Sequence, residues 1–192
     1  MAPRSTEFRV LLAQSGDREA LDELLREIAP PLHGYLRTMT GSAALADDLL
    51  QECLILICGK LGGLREPRAF RTWAYRVASR LAFRRLKAET QWVSLDEELE
   101  RADVAHPVLG PPEGIEPEAL EQLFAELSPA SRSVLALHYL DELSIAEIAD
   151  VLDLPTGTVK SRLGYGLRKL RRHPRINELF PEADSNGHAR GA

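Results

Sequence analysis

LSIAEIADVLDLPTGTVKSRL, residues 143–163, has the rhythm of two short helices joined by a tight turn. Ser144 with Glu147 three residues on is a capping box, in which each side chain takes up a free backbone amide of the first turn. Ala149 is small where a second helix must cross closely. Leu154 can plug the turn, and Pro155 opens the next helix without wasting an amide donor. At about 100° per residue, Val159, Leu163, Leu167 and Leu170 gather on one side of that helix. Ser161, Tyr165, Arg168 and Arg172 fall opposite, with Lys160 on the flank and Thr158 and Arg162 beside them. A buried stripe behind a polar, cationic face is what a helix needs in order to lie in a DNA major groove. Gly164 and Gly166 each cost about 1 kcal/mol against alanine inside a helix. Close approach of the helix to DNA at Gly164 and local fraying offset by packing are both open explanations.

The net charge of −5 is the wrong sign for a DNA binder, but the charge is unevenly distributed. Residues 65–87 hold eight cations against Glu66, a balance of +7, and residues 158–175 hold seven cations and no acid, again +7. Between them, residues 91–120 hold Arg101 against eight acids, a balance of −7. Local patches, not the total, decide what each surface attracts.

Helical periodicity recurs along the chain, with no strand-like alternation of useful length. Helices are expected near 5–14, 17–38, 43–59, 67–88, 116–126, 129–140, 144–152 and 156–173. VAHPVLGPPEGIEP, residues 104–117, is rich in proline and glycine and cannot be a helix interior. The fold class is therefore all-α, with two small helical domains at 1–90 and 118–176. A flexible acidic linker at 91–117 joins them, and a small, polar, disordered tail follows at 177–192.

Two N-terminal helices stand out. FRTWAYRVASRLAFRRLK, residues 70–87, sets Phe70, Trp73, Ala74, Val77 and Leu81 on one stripe. Arg76, Arg80, Arg84 and Lys87 form a row that is favourable if phosphates lie along it. Tyr75, off the apolar stripe, is the better candidate for an exposed ring that stacks on unpaired bases. ALADDLLQECLILICGKL, residues 44–61, is apolar around most of its circumference, as in a central core helix. Asp47, Asp48, Gln51 and Glu52 share one polar arc, and Ile55 lies inside it, which suggests a protein-docking strip.

Other classes recede. No window approaches the roughly 18 apolar residues of a membrane span, and the N-terminus has no apolar core with a cleavage site, so a cytoplasmic protein is expected. Cys53 and Cys58 are five residues apart on one helix, too divergent to bridge, and read as buried reduced thiols. No Cys/His spacing suggests a metal, and no phosphate loop or nucleophile–base constellation suggests an enzyme, so no cofactor is expected.

Taken in order, these elements resemble the extracytoplasmic-function sigma factors of the sigma-70 superfamily, over roughly Asp17 to Arg172. ALADDLLQECLI is similar to that family's core-polymerase-binding helix, and PRAFRTWAYRVASRLAFRRLK to its promoter-melting and −10-reading helix. LSPASRSVLALHYLDELSIAEIADVLDLPTGTVKSRL is similar to its −35-reading domain. The resemblance implies a transcription initiation factor with core RNA polymerase and promoter DNA as partners, and an anti-sigma factor as a further candidate. Asp47, Asp48, Gln51, Glu52 and Ile55 would dock on the polymerase clamp helices. The 60s loop and the next helix, through Arg68, Arg71, Tyr75, Arg76, Arg80, Arg84 and Lys87, would capture flipped bases of the −10 strand. Thr158, Lys160, Ser161, Arg162, Tyr165, Arg168 and Arg172 would read the −35 duplex. Arg80 and Arg84 stand where members often carry Asn and then Asp, and Tyr165-Gly166-Leu167 where a basic pair is common, so no promoter consensus carries over. The runner-up is a free-standing helix-turn-helix regulator, which would need a dimer to read two half-sites and leaves both N-terminal helices unexplained. The resemblance further implies that the free protein is held inactive, its domains closed on each other or around an anti-sigma factor; on physical grounds the acidic linker, at −7, could also fold against either +7 patch and screen it, an effect that salt weakens.

Overall fold

The computed structural model describes residues 5–89, 123–124 and 126–171, and all regular structure among them is helical. The N-terminal part comprises α1 (Thr6–Gln14), α2 (Arg18–Thr40), α3 (Ala43–Lys60) and α4 (Phe70–Glu89). Single 3-10 turns at Leu61–Gly63 and Pro67–Ala69 link α3 to α4. The C-terminal part comprises α5 (Pro129–Leu135), a π-helical turn (Ala136–Leu140), α6 (Ile145–Leu152) and α7 (Thr156–Arg171).

Local chemistry sets the boundaries. The side chains of Ser5, Asp17, Ser42, Ser128 and Ser144 each accept an amide hydrogen bond at the start of α1, α2, α3, α5 and α6, a device worth about 1 kcal/mol per helix. The expected Ser144–Glu147 capping box is complete. Hydrogen bonds from Ser144 hold the Glu147 carboxyl below its ordinary pKa. Gly41, at φ 67°, ends α2 in the left-handed region that glycine enters without a Cβ penalty. Helix α2 runs through Pro30 and Pro31 because its buried face, from Leu24 through Ile28 and Leu32 to Tyr35, continues on both sides of them. The segment 129–140, expected as one helix, widens to a π-helical turn at Ala136. Of the expected 116–126 helix, Leu123, Phe124 and Glu126 fall on described residues; the first two are helical and Glu126 lies in a turn. The linker, the tail and Arg172 lie outside the described residues.

Helices α2, α3 and α4 pack pairwise, with α1 against α2. Their core holds Leu24, Leu32, Tyr35, Leu36, Met39, Cys53, Ile57, Phe70 and Ala74. In the C-terminal part α7 packs on α5 and α6, with Val159, Leu163, Leu167 and Leu170 buried as the helical spacing predicts. Gly166 is a packing glycine. A Cβ there would sit 2.5 Å from Leu135 Cδ1, so the missing side chain is what lets α7 approach α5.

The two parts are in contact. Helix α4 lies on α6 and α2 on α5, and the buried residues of both parts form one contiguous core.

Candidate functional site

Three surfaces carry the residues singled out in the sequence. The first is the outer arc of α3. Asp47, Asp48, Gln51 and Glu52 are all exposed, and Ile55 among them is 71% exposed while Ala46, Leu49, Cys53 and Ile57 on the other side are buried. Burial pushes the Cys53 thiol up to about 12, consistent with an inert packing role. Cys58 corrects the expectation of two buried thiols, because it sits on the exposed side of α3 next to Gly59. Two of the arc's acids are paired: Asp47 Oδ1 lies 2.9 Å from His33 Nε2, and Glu52 Oε1 accepts from Arg84 Nη2 at 2.5 Å. Leu45, Asp48, Glu52, Arg84 and Arg85 line a shallow groove between α3 and α4, so the acidic arc and the cationic row share a border.

The second surface is the outer face of α7. Lys160 is exposed, and Thr158, Ser161, Arg162, Tyr165 and Arg168 are half-buried. Ser161 Oγ donates back to the Thr158 carbonyl at 3.0 Å, and Lys169 Nζ donates to the Glu126 carbonyl at 2.7 Å. Arg168 Nη1 is buried without a hydrogen-bond partner, so this guanidinium lies partly against the protein. Charge and hydroxyl donors project from a helix whose back is fixed by four buried aliphatic side chains. That geometry suits phosphate and base-edge contacts along a groove.

The third surface is α4 with the loop before it. Gln14 Nε2 donates to the carbonyls of Leu61 (2.9 Å) and Leu64 (2.7 Å) and so holds the loop from α1. Glu66 caps the Arg68 amide, and the exposed Arg68 side chain pairs with Glu7 at 3.3 Å. Arg80, Arg84 and Lys87 are exposed along α4. The buried stripe is rotated from the expected one. It runs through Phe70, Ala74, Tyr75, Ala78, Leu81 and Ala82, with Trp73 and Val77 only half-buried.

Tyr75 is the clearest correction, for it is fully buried rather than exposed. Its ring meets Tyr35 edge-on at 5.8 Å, and its hydroxyl donates to Asp141 Oδ1 at 2.5 Å. Arg71 spreads over that ring at 5.9 Å and donates to the Asp141 carbonyl. Arg76 Nε donates to the Asp150 carbonyl at 2.9 Å. Three residues assigned to strand capture are thus occupied by the C-terminal part of the same chain. Burial pushes the Asp141 carboxyl up to about 7 against the lowering effects of Tyr75 and Arg71, and raises the Tyr75 hydroxyl. Asp141 Oδ2 is buried without a partner.

Sequence reasoning missed Asp141, Asp150 and Arg132. The Arg132 guanidinium donates to the carbonyls of Phe124 and Met39 (2.9 Å each) and Leu127 (3.0 Å), tying the end of α2 to the start of the C-terminal part. Desolvation lowers its pKa. Among the described residues no group of three or more His, Cys, Asp or Glu side chains has a metal-holding arrangement, and no helix is long and apolar enough to cross a membrane.

Comparison with known proteins covers the same two parts. The profile described as Sigma-70 region 2 matches residues 24–91, and that described as Sigma-70, region 4 matches residues 118–170. The chain is 29% identical over 178 residues to the ECF RNA polymerase sigma factor SigW of Bacillus subtilis, covering 87% of this chain and 95% of that protein. It is 32% identical over 178 residues to the ECF RNA polymerase sigma factor SigL of Mycobacterium tuberculosis, covering 85% and 93%. The fold is similar to that of CnrH in its complex with the cytosolic domain of CnrY (TM-score 0.64, 21% identity, 86% of this chain and 94% of that one). It is also similar to the sigma factor RpoE in its complex with the anti-sigma factor NepR from Bartonella quintana (TM-score 0.61, 16% identity, 78% and 93%).

Proposed function

The chain belongs to the extracytoplasmic-function sigma factors, initiation subunits that bind core bacterial RNA polymerase and direct it to promoters, and from that premise we propose which surface does which task. Residues 1–90 bind polymerase and read the −10 element, 91–117 connect, and 118–176 read the −35 duplex. The protein works in the cytoplasm, where its polymerase is, and acts by binding rather than by chemistry of its own.

Core polymerase docks on the α3 arc, through Asp47, Asp48, Gln51, Glu52 and Ile55. The observation that carries this assignment is Ile55, a large aliphatic side chain 71% exposed inside an acidic strip, on a helix with ample buried surface for it. An aliphatic anchor ringed by charge is the pattern of a docking patch, where the core of the contact supplies energy and the rim supplies orientation. A free-standing regulator would leave this strip without an occupant. The test is capture of core polymerase. Asp48→Arg with Glu52→Arg should weaken it by about a hundredfold or more with unchanged helicity, as charge reversal at a paired interface does. Undiminished capture would reject the assignment.

The −35 duplex is read by α7 through Thr158, Lys160, Ser161, Arg162, Tyr165, Arg168 and Arg172. The −10 strand is taken by Arg68, Arg80, Arg84 and Lys87, joined by Arg71, Arg76 and Tyr75 once the C-terminal part has moved away. Permanganate footprinting of the −10 region with Arg76→Ala and Arg80→Ala checks this, and normal strand opening would count against it. An anti-sigma factor of the kind bound by RpoE is a fitting regulatory partner.

A further inference from the structure

The segment that joins α3 to α4 has little of its own to hold it. Leu61 is buried at its start and Phe70 at its end, while Gly62, Gly63, Arg65, Glu66 and Arg68 between them are exposed. Neither glycine is in the left-handed region, and a Cβ on either would meet nothing within 4 Å. Glycine loses more conformational freedom on ordering than any other residue, and without a side chain it brings no contact to offset the loss. Order at this pair has to come from elsewhere.

It comes from α1. One nitrogen, Gln14 Nε2, donates to the Leu61 carbonyl at 2.9 Å and to the Leu64 carbonyl at 2.7 Å, the two acceptors that flank the glycines. The Leu61 carbonyl also accepts the Leu64 amide at 3.0 Å, so the forked amide closes over a turn that is already tight. Near the other end of α1, Glu7 pairs with Arg68 of the second 3-10 turn. Helix α1 contacts both turns, and it is itself seated on α2 by the buried Val10 and the Arg9–Glu27 ion pair.

We propose that Gln14 is a positioning residue for reading the −10 strand: its amide fixes the backbone of residues 61–64, and with it the placement of Arg65 and Arg68 beside α4, before any strand arrives. This rests on the assignment of the 60s loop and α4 to strand capture. A loop ordered in advance pays no ordering entropy when a nucleotide binds, and it keeps its backbone groups and cations at set places. Without the fork the cations still attract a strand, because phosphate contacts carry no sequence information. What is lost is the fixed frame that tells one base from another. Gln14 therefore acts on base preference more than on affinity, and it does so without touching DNA.

The test uses the full chain in two settings. Free in solution, hydrogen exchange over residues 61–69 is followed by mass spectrometry. Assembled with core polymerase, the chain selects from a pool of short promoter duplexes randomised across the −35 and −10 elements, and the retained sequences are read. Gln14→Met keeps the length of the side chain and removes both donors. It should speed exchange of the segment about tenfold, the scale of one or two hydrogen bonds lost. It should also cut −10 enrichment severalfold, with −35 enrichment and capture of core polymerase kept within about twofold as distant, independent functions. Gln14→Glu turns a carboxylate toward the same carbonyls and should act in the same direction, which gives a second variant should Gln14→Met fail to fold by circular dichroism. Unchanged exchange would overturn the staple. Faster exchange with −10 enrichment intact would overturn the positioning role, and so would an equal loss of −35 enrichment and polymerase capture, which marks a general structural residue. Arg68→Ala with Arg80→Ala, made with Gln14 in place, separates the underlying assignment. Loss of −10 enrichment there keeps the loop and α4 as the reading surface, and indifference removes that reading whatever Gln14 does.

Discussion

Helices α4 and α7 sit in stretches of equal charge, +7 each, yet their cations are differently placed. On α7 the aliphatic stripe faces α5 and α6, and Lys160 on the other side is exposed, with Thr158, Ser161, Arg162, Tyr165 and Arg168 half-buried around it. On α4 the packing is two-sided. One side is buried against α2 and α3, another against α6, and Arg71, Arg76 and Arg84 have hydrogen-bond partners within the chain. A count of charges along a sequence measures what a surface attracts once bare. Packing decides how far it is bare: on α7 Lys160 is exposed while Lys169 is held by the Glu126 carbonyl and Arg168 is half-buried, and on α4 the cations at 71 and 76 are engaged by another part of the chain altogether.

The contrast breaks or sharpens in three ways. The largest effect is expected on duplex binding. Lys160→Ala with Arg168→Ala should weaken binding to −35 duplex about tenfold to a hundredfold and lower its salt slope by about one per cation removed. Arg76→Ala with Arg80→Ala should leave that binding within about twofold, because the latter pair faces the α6 edge. Equal losses in salt-titrated anisotropy would erase the distinction between the helices.

Next comes the scaffold behind α7. Gly166→Ala pushes a methyl group into Leu135 and should cost about 1–3 kcal/mol in thermal unfolding, partly recovered with Leu135→Val. Gly164→Ala is the comparison, where helix propensity alone favours alanine by up to about 1 kcal/mol. A gain at both glycines would mean that the close approach of α7 to α5 is dispensable.

The smallest effect belongs to the border between the α3 arc and α4. Arg84 and Glu52 are well exposed, so Arg84→Ala should change stability by less than about 1 kcal/mol. A larger loss in chemical denaturation would show that the pair anchors α4 to α3 and is no mere surface contact.

Much of this was legible in the chain. Ser144 and Glu147 formed their capping box, the four aliphatic residues of α7 went inward, and Ile55 stayed outside, because each follows from spacing within one helix. Tyr75 was misread for the complementary reason. Periodicity places it beside the apolar stripe, but its burial depends on Asp141, 66 residues further on across the connector, and no local pattern signals that pairing. Arg132 escaped notice likewise, since its acceptors are carbonyl oxygens that every residue carries. The π-helical turn was invisible because its residues fit an ordinary α-helical pattern, and Cys58 because an apolar-rich helix gives little sign of which thiol faces out.

The contact of Gly166 with Leu135 bears on how such a protein diversifies. The two positions are coupled: a bulkier residue at 166 requires the Leu135 methyl to move or residue 135 to shrink, so lineages are expected to change them together. Position 160, exposed on the far side of the same helix, is under no such constraint. Drift on that outer side can therefore alter what α7 would contact while the seat of the helix stays fixed.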